Sequence, residues 1–221
     1  MTLRVHYMCA YYSQWAHDNV APRSQALWDA FKFCRAVKRR AINGYCTVPM
    51  STGGRRIDAS NVGEARRLFG NFVRRTLQAQ KLQPDAIVPA PSKDSYDDDQ
   101  FRALQMAREV LHWPDAPPAT GLVRFTKELA PASEGGPRGY DAIRPHLALP
   151  AIRRRAIRRV VLVDDILTTG GTLLATRDVL QEAGYQVECA IVCGRTVSAS
   201  ERAFAARTFD LEDALGEVDF E

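Results

Sequence analysis

The run VVLVDDILTTGGT, Val160 to Thr172, constrains the fold of this chain more than any other stretch. Val160 to Val163 are apolar without alternation, which fits a strand buried on both faces in the middle of a parallel sheet. Asp164 and Asp165 follow at once, at the end of that strand. Ligands of open parallel sheets bind beyond the carboxyl ends of the strands, so the two acids are expected at the rim of a crevice. Two neighbouring carboxylates repel each other, and sugar hydroxyls or a metal-bound ligand offset that cost better than apolar packing does.

The next five residues, Thr168, Thr169, Gly170, Gly171 and Thr172, make a turn with little side-chain bulk at the start of a helix predicted over 171–183. Free backbone N–H groups and threonine hydroxyls there can close around a phosphate. Acids for the hydroxyls of a sugar and a nest for a phosphate together describe a ribose 5-phosphate site. The other phosphate-binding motifs fit poorly, since no lysine follows the glycines and no GxGxxG opens the first strand-to-helix turn.

Strands alternate with helices through the rest of the chain. DAIVPAP, RRVVLVDD and YQVECAIVCGRT read as strands, DDQFRALQMAREVLHW and GTLLATRDVLQEAG as helices, and GLVRFT as a further short strand. This order predicts an α/β fold, a parallel five-stranded sheet flanked by helices. Before it, SQALWDAFKFCRAVKRR and SNVGEARRLFGNFVRRTLQAQKL each carry one apolar stripe at helical spacing, separated by CTVPMSTGGRRID, a strand and a turn. Ser60 or Asn61 is expected to cap the second helix and Asn43-Gly44 to close the first. Three parts are expected: a basic, mainly helical elaboration over 1–80, a core over 81–200, and an acidic segment over 201–221.

Charge follows the same division. Residues 1–80 hold 13 Lys or Arg against 4 Asp or Glu, while residues from Glu201 onward hold seven acids against two arginines. A basic first third suits a polyanion, whether a phosphorylated small molecule or nucleic acid. Lys38, Arg39 and Arg40 could form part of a positive wall near the crevice. The five cysteines, at 9, 34, 46, 189 and 193, contain no CxxC pair. That spacing argues against a disulfide scaffold and a closed zinc site, and predicts free thiols packed as small hydrophobes. No apolar run approaches the roughly 20 residues needed to span a bilayer, and the start lacks a secretory signal, so the chain reads as cytoplasmic, with no membrane partner.

VVLVDDILTTGGT resembles the phosphoribosyl pyrophosphate signature of the type I phosphoribosyltransferases. The resemblance implies that Asp164 and Asp165 bind the ribose 2- and 3-hydroxyls and hold Mg²⁺, and that Thr168, Thr169, Gly170, Gly171 and Thr172 bind the 5-phosphate. It also implies a pyrophosphate site on a neighbouring strand end, where IVPAPSKDS offers Ser92 and Lys93, although that loop could simply turn at its prolines. The long connection after Thr126 corresponds to the family's closing loop, with Lys127 and Arg138 as cations opposite the departing pyrophosphate and Gly135, Gly136 and Gly139 as hinges; a solvated loop is the plain alternative.

The layout is most similar to the competence-related ComF-like branch. IVPAPSKDS, Arg124 to Lys127, PRGYDAI and the strand ending CGRT carry that similarity, while the cysteine-paired zinc ribbon of the branch is absent. The activity implied is Mg²⁺-dependent transfer of phosphoribose from 5-phosphoribosyl pyrophosphate to a nitrogen nucleophile such as a nucleobase, by a homodimer. The competing reading is a regulatory module that binds phosphoribosyl pyrophosphate or a nucleotide without consuming it and associates with nucleic acid.

Overall fold

The computed structural model of the 221-residue chain describes residues 2–12, 24–130, 136–137, 139–150, 156–197 and 202–211. In chain order the elements are β1 (Leu3–Tyr11), α1 (Gln25–Arg39), β2 (Tyr45–Met50), β3 (Gly53–Asp58), α2 (Gly63–Ala79), β4 (Ala86–Pro89), α3 (Arg102–Val110), β5 (Arg124–Phe125), α4 (Gly139–Ile143), β6 (Leu147–Ala148), β7 (Arg159–Leu167), α5 (Gly171–Glu182), β8 (Gln186–Thr196) and β9 (Phe204–Leu211). A five-stranded sheet runs in the order β4-β7-β8-β1-β9. Its first four strands are mutually parallel, and β9 closes one edge antiparallel to β1.

The expected α/β sheet of five strands is therefore present, with one edge strand reversed. Its composition differs from the sequence-based division: β1 and β9 come from outside residues 81–200. β1 lies between β8 and β9, so the start of the chain supplies a strand of the sheet.

Val160 to Val163 sit where their pattern predicts. Val161 and Val163 face one core cluster, shared with α1, α2 and α3; Val160 and Leu162 face the other, shared with α5. All four are at most 1% exposed. Burying each such side chain contributes about 1.5–3 kcal/mol, which fixes the register and carries Asp164 and Asp165 to the rim.

Local chemistry sets the helix ends. The Ser24 hydroxyl accepts from the Leu27 amide at 3.3 Å and caps α1. α1 ends earlier than Asn43-Gly44, at Arg40, whose φ of 52° puts it in the left-handed region. α2 has Val62 at its N-cap and no side-chain cap. Asn61 instead accepts from the Asp58 amide at 2.8 Å, stabilising the turn after β3. β2 and β3 form an antiparallel hairpin beside α1, where one strand and a turn were expected. β5 pairs with β6 in a small separate ribbon, bringing the two ends of the long 126–146 connection together.

Candidate active site

β7 delivers Asp164 and Asp165 side by side at its carboxyl end, both half-buried. The Asp164 Oδ1 accepts from the Asp165 amide at 2.7 Å. Burial, and then repulsion from Asp165, push the Asp164 carboxyl up to about 8. Free of ligand, Asp164 is thus biased toward its protonated form, and hydroxyl donors or a cation would favour the charged one. Asp165 already has a cation: Lys38 Nζ of α1 donates to its Oδ1 at 3.1 Å.

α1 is positioned for this by Arg66 of α2. That buried guanidinium donates to the carbonyl oxygens of Val37 at 2.8 Å and Lys38 at 3.4 Å, and pairs with Glu109 at 2.9 Å. The sequence places Lys38 on a basic wall but does not single it out as the partner of Asp165. The i, i+4 offset from buried Cys34 to Lys38, on the face of α1 turned to the sheet, is the only signal that could have done so.

The loop after β7 is shaped by its glycines. Gly170 has φ 85°, and a Cβ there would meet the Leu211 side chain at 2.6 Å. A Cβ on Gly171 would meet the backbone of Gly139 at 2.4 Å and of Tyr140 at 2.6 Å. The first turn of α5 is thus pressed against the start of α4, and only glycine permits that approach. The Leu174 amide bonds the Gly170 carbonyl at 2.9 Å, which makes it the first intrahelical donor. The preceding amides of Gly171, Thr172 and Leu173 have no acceptor within the helix, and no side chain caps Gly170. With Thr168 exposed and Thr169 and Thr172 half-buried, this is a helix N-terminus suited to an anion, shortly after two carboxylates.

The 126–146 connection is anchored beside that turn. The Tyr140 hydroxyl donates to Asp178 Oδ2 of α5 at 2.6 Å, and the Thr126 amide bonds the His146 carbonyl at 2.9 Å. Lys127 is exposed just beyond β5. Arg138 and Gly135 lie outside the described residues. Gly136 lies within them, and Gly139, φ 77°, begins α4.

Beyond β4, the Ser92 hydroxyl accepts from the Ala103 amide at 3.1 Å and the Asp94 Oδ2 from the Arg102 amide at 2.9 Å, so both acceptors serve the start of α3. The Ser95 hydroxyl accepts from the Phe125 amide at 3.1 Å. The Lys93 ammonium donates to the Ala130 carbonyl in the long connection. Asp164, Asp165 and the Thr168–Thr172 turn are thus contiguous, joined by Lys38, while Ser92 and Lys93 stand at the end of β4, the strand next to β7.

Among the described residues no helix is long and apolar enough to cross a membrane. All five cysteines are free and buried, as expected. The spacing argument against metal-ligand geometry does not extend to three dimensions, because Cys9, Cys34 and Cys193 converge.

Two adenine phosphoribosyltransferases share short matches: that of Corynebacterium kroppenstedtii is 48% identical over 54 residues, 23% of this chain and 29% of the relative. That of Saccharopolyspora erythraea is 50% identical over 46 residues, 21% and 25% respectively. The chain thus spans less than a third of the length of these curated relatives. Among solved structures, an orotate phosphoribosyltransferase of Mycobacterium tuberculosis H37Rv is similar at 18% identity and a TM-score of 0.39, covering 77% of this chain and 87% of that one. An adenine phosphoribosyltransferase of Trypanosoma brucei is similar at 14% identity and a TM-score of 0.38, covering 83% and 86%. The family model for the phosphoribosyl transferase domain matches residues 104–220, more than half of the chain and all of the β7–α5 site, and the chain belongs to that family.

Proposed function

We propose that the chain is a pentosyl-type glycosyltransferase that moves phosphoribose from 5-phosphoribosyl pyrophosphate to a nitrogen nucleophile, a nucleobase in the simplest case, and releases pyrophosphate. One observation carries this reading: two adjacent carboxylates at the end of a buried parallel strand lead directly into a glycine turn whose helix amides have no internal acceptors. Asp164 and Asp165 accept hydrogen bonds from the ribose 2- and 3-hydroxyls. Thr168, Thr169, Gly170, Gly171 and Thr172 enclose the 5-phosphate.

Ser92 and Lys93 serve the pyrophosphate from the end of β4, and by the family resemblance Lys127 and Arg138 of the long connection supply further positive charge to it. In the reaction the C1–O bond breaks and its electron pair leaves with pyrophosphate. The lone pair of the acceptor nitrogen forms the new C1–N bond from the opposite face, and the nitrogen gives its proton to solvent. Fixed positive charge opposite the leaving group lowers the barrier, and a closed connection keeps water from the electron-poor C1. The donor set fits a hard dication, since oxygen-rich sites with paired carboxylates suit Mg²⁺ and Asp164 needs a positive partner to ionise. Bound there, Mg²⁺ would stabilise charge on the pyrophosphate oxygens.

The reading includes a homodimer, a cytoplasmic location and a nearest kinship with the ComF-like branch, supported by IVPAPSKDS and the CGRT strand end. A pocket that binds the donor without turning it over is the second reading, favoured by the Lys38–Asp165 pair, which occupies one of the two acids in the free protein. The test is release of pyrophosphate from labelled donor with Mg²⁺ across nucleobases, amines and nucleic acids, with Asp165→Asn as control. Release with one acceptor class that Asp165→Asn abolishes supports transfer. Tight donor binding with no release from any acceptor supports the binding module, and absence of both refutes the two readings together.

A further inference from the structure

On the far side of α1 from solvent, three thiols from three separate elements meet with no disulfide between them. Cys9 of β1 and Cys34 of α1 have their sulfurs 3.3 Å apart, Cys193 of β8 lies 4.0 Å from Cys34, and all three sulfurs fall within 4.8 Å of one another. Each of the three residues is fully buried.

The meeting is built by specific features of the backbone. Tyr7 and Cys9 share strand parity, yet Tyr7 packs in one core cluster and Cys9 in the other; the register shift between them in the pairing with β9 accounts for the exchange of faces. Gly194 makes room for α1, because a Cβ there would come within 2.5 Å of the Cys34 sulfur.

We propose that Cys9, Cys34 and Cys193 form a trithiolate site for one thiophilic d¹⁰ cation, Cu(I) or Zn(II). Sulfur ligands bind at about 2.3 Å, so three of them around one ion stand roughly 4.0 Å apart in a plane and about 3.8 Å apart at the corners of a tetrahedron. The observed separations bracket those values, and adjustments of some tenths of an ångström bring the sulfurs onto one centre. Three soft ligands with no hard oxygen donor among them select such ions over Mg²⁺.

Binding replaces three S–H protons by the metal, with the protons released to solvent. In the free protein the Cys9 thiol also donates to the Cys193 carbonyl oxygen at 3.3 Å, a bond that the metal would replace. Cys34 precedes Lys38 by one helical turn, which ties the position of the trithiol to the cation that holds Asp165.

The experiment uses the full chain, reduced and stripped with a chelator, titrated separately with Cu(I) and Zn(II) against chromophoric competitors. Thiolate-to-metal absorption and proton release are recorded alongside. The expected result is one equivalent of one of the two ions, retained in Cys46→Ser and Cys189→Ser and lost in Cys34→Ser and Cys193→Ser. X-ray absorption on the loaded wild type, which does not depend on the variants folding, should show three sulfur neighbours at about 2.3 Å. Binding that falls equally in all four variants, sulfur neighbours fewer than three, or a wild type that takes up neither ion would overturn the proposal.

Discussion

Replacing Asp164 by Asn should stabilise the free protein, and by more as the pH rises. Asn keeps the shape and retains an oxygen for the Asp165 amide, so the change removes chiefly the ionisable group. The carboxyl is raised from 3.8 to about 8, first by burial and then by Asp165. A folded-state value above the unfolded one means that the folded chain binds this proton more tightly. Its contribution is fully present below about 4 and is lost as pH climbs through about 8.

At 1.36 kcal/mol per unit, a shift of about four units sets a ceiling of roughly 6 kcal/mol. A half-buried carboxylate regains solvation through small local openings, so the expected gain for Asp164→Asn is about 1–3 kcal/mol above pH 8, shrinking steadily as the pH falls and approaching zero only near pH 4. For a chain of this size that corresponds to a rise of about 2–12 °C in Tm. Urea unfolding of both proteins in steps from pH 5 to pH 9 reads the difference directly. A gap independent of pH, or an Asn variant less stable than wild type at pH 8.5, would refute the assignment of Asp164 as a carboxyl held neutral by its surroundings. With saturating donor and Mg²⁺ the gap should shrink or reverse, because the ligand favours the charged carboxylate that the variant lacks.

Lys38→Met should act in the opposite sense: it leaves Asp165 beside Asp164 without its cation, costing about 1–2 kcal/mol at neutral pH by urea unfolding. Gly171→Ala forces a Cβ against the backbone of Gly139 and Tyr140 and should cost about 1–3 kcal/mol, with faster proteolysis of the 126–146 connection as the accompanying readout. Tyr140→Phe removes the hydrogen bond to Asp178 and should lower stability by about 1 kcal/mol, with amide exchange accelerating in α4 more than in α5.

What the sequence revealed followed the range of the forces involved. Val160 to Thr172 is local: the apolar run, the acids and the glycines each act on their immediate neighbours, and strand, turn and helix stand in the expected places. α1 and α2 were legible for the same reason, since their apolar stripes follow helical spacing.

The strand β1 was not legible. Its hydrogen-bond partners, β8 and β9, are more than 180 residues away, so no local pattern announces it as a strand of the sheet. β9 was hidden by its setting between acidic residues. The three converging cysteines were invisible to spacing, because strand order and not sequence distance brings 9, 34 and 193 together. Ser92 shows the converse, a side chain read as a ligand donor whose oxygen also serves the first turn of α3.

Calorimetric titration of 5-phosphoribosyl pyrophosphate with Mg²⁺ into the wild type and the Asp164→Asn/Asp165→Asn double variant tests the central claim most directly. Saturable binding at one site per chain, weakened about 100-fold in the variant through loss of two charge-assisted hydrogen bonds, is the predicted result. Equal affinity in the two proteins would contradict it, because the paired acids would then take no part in holding the sugar.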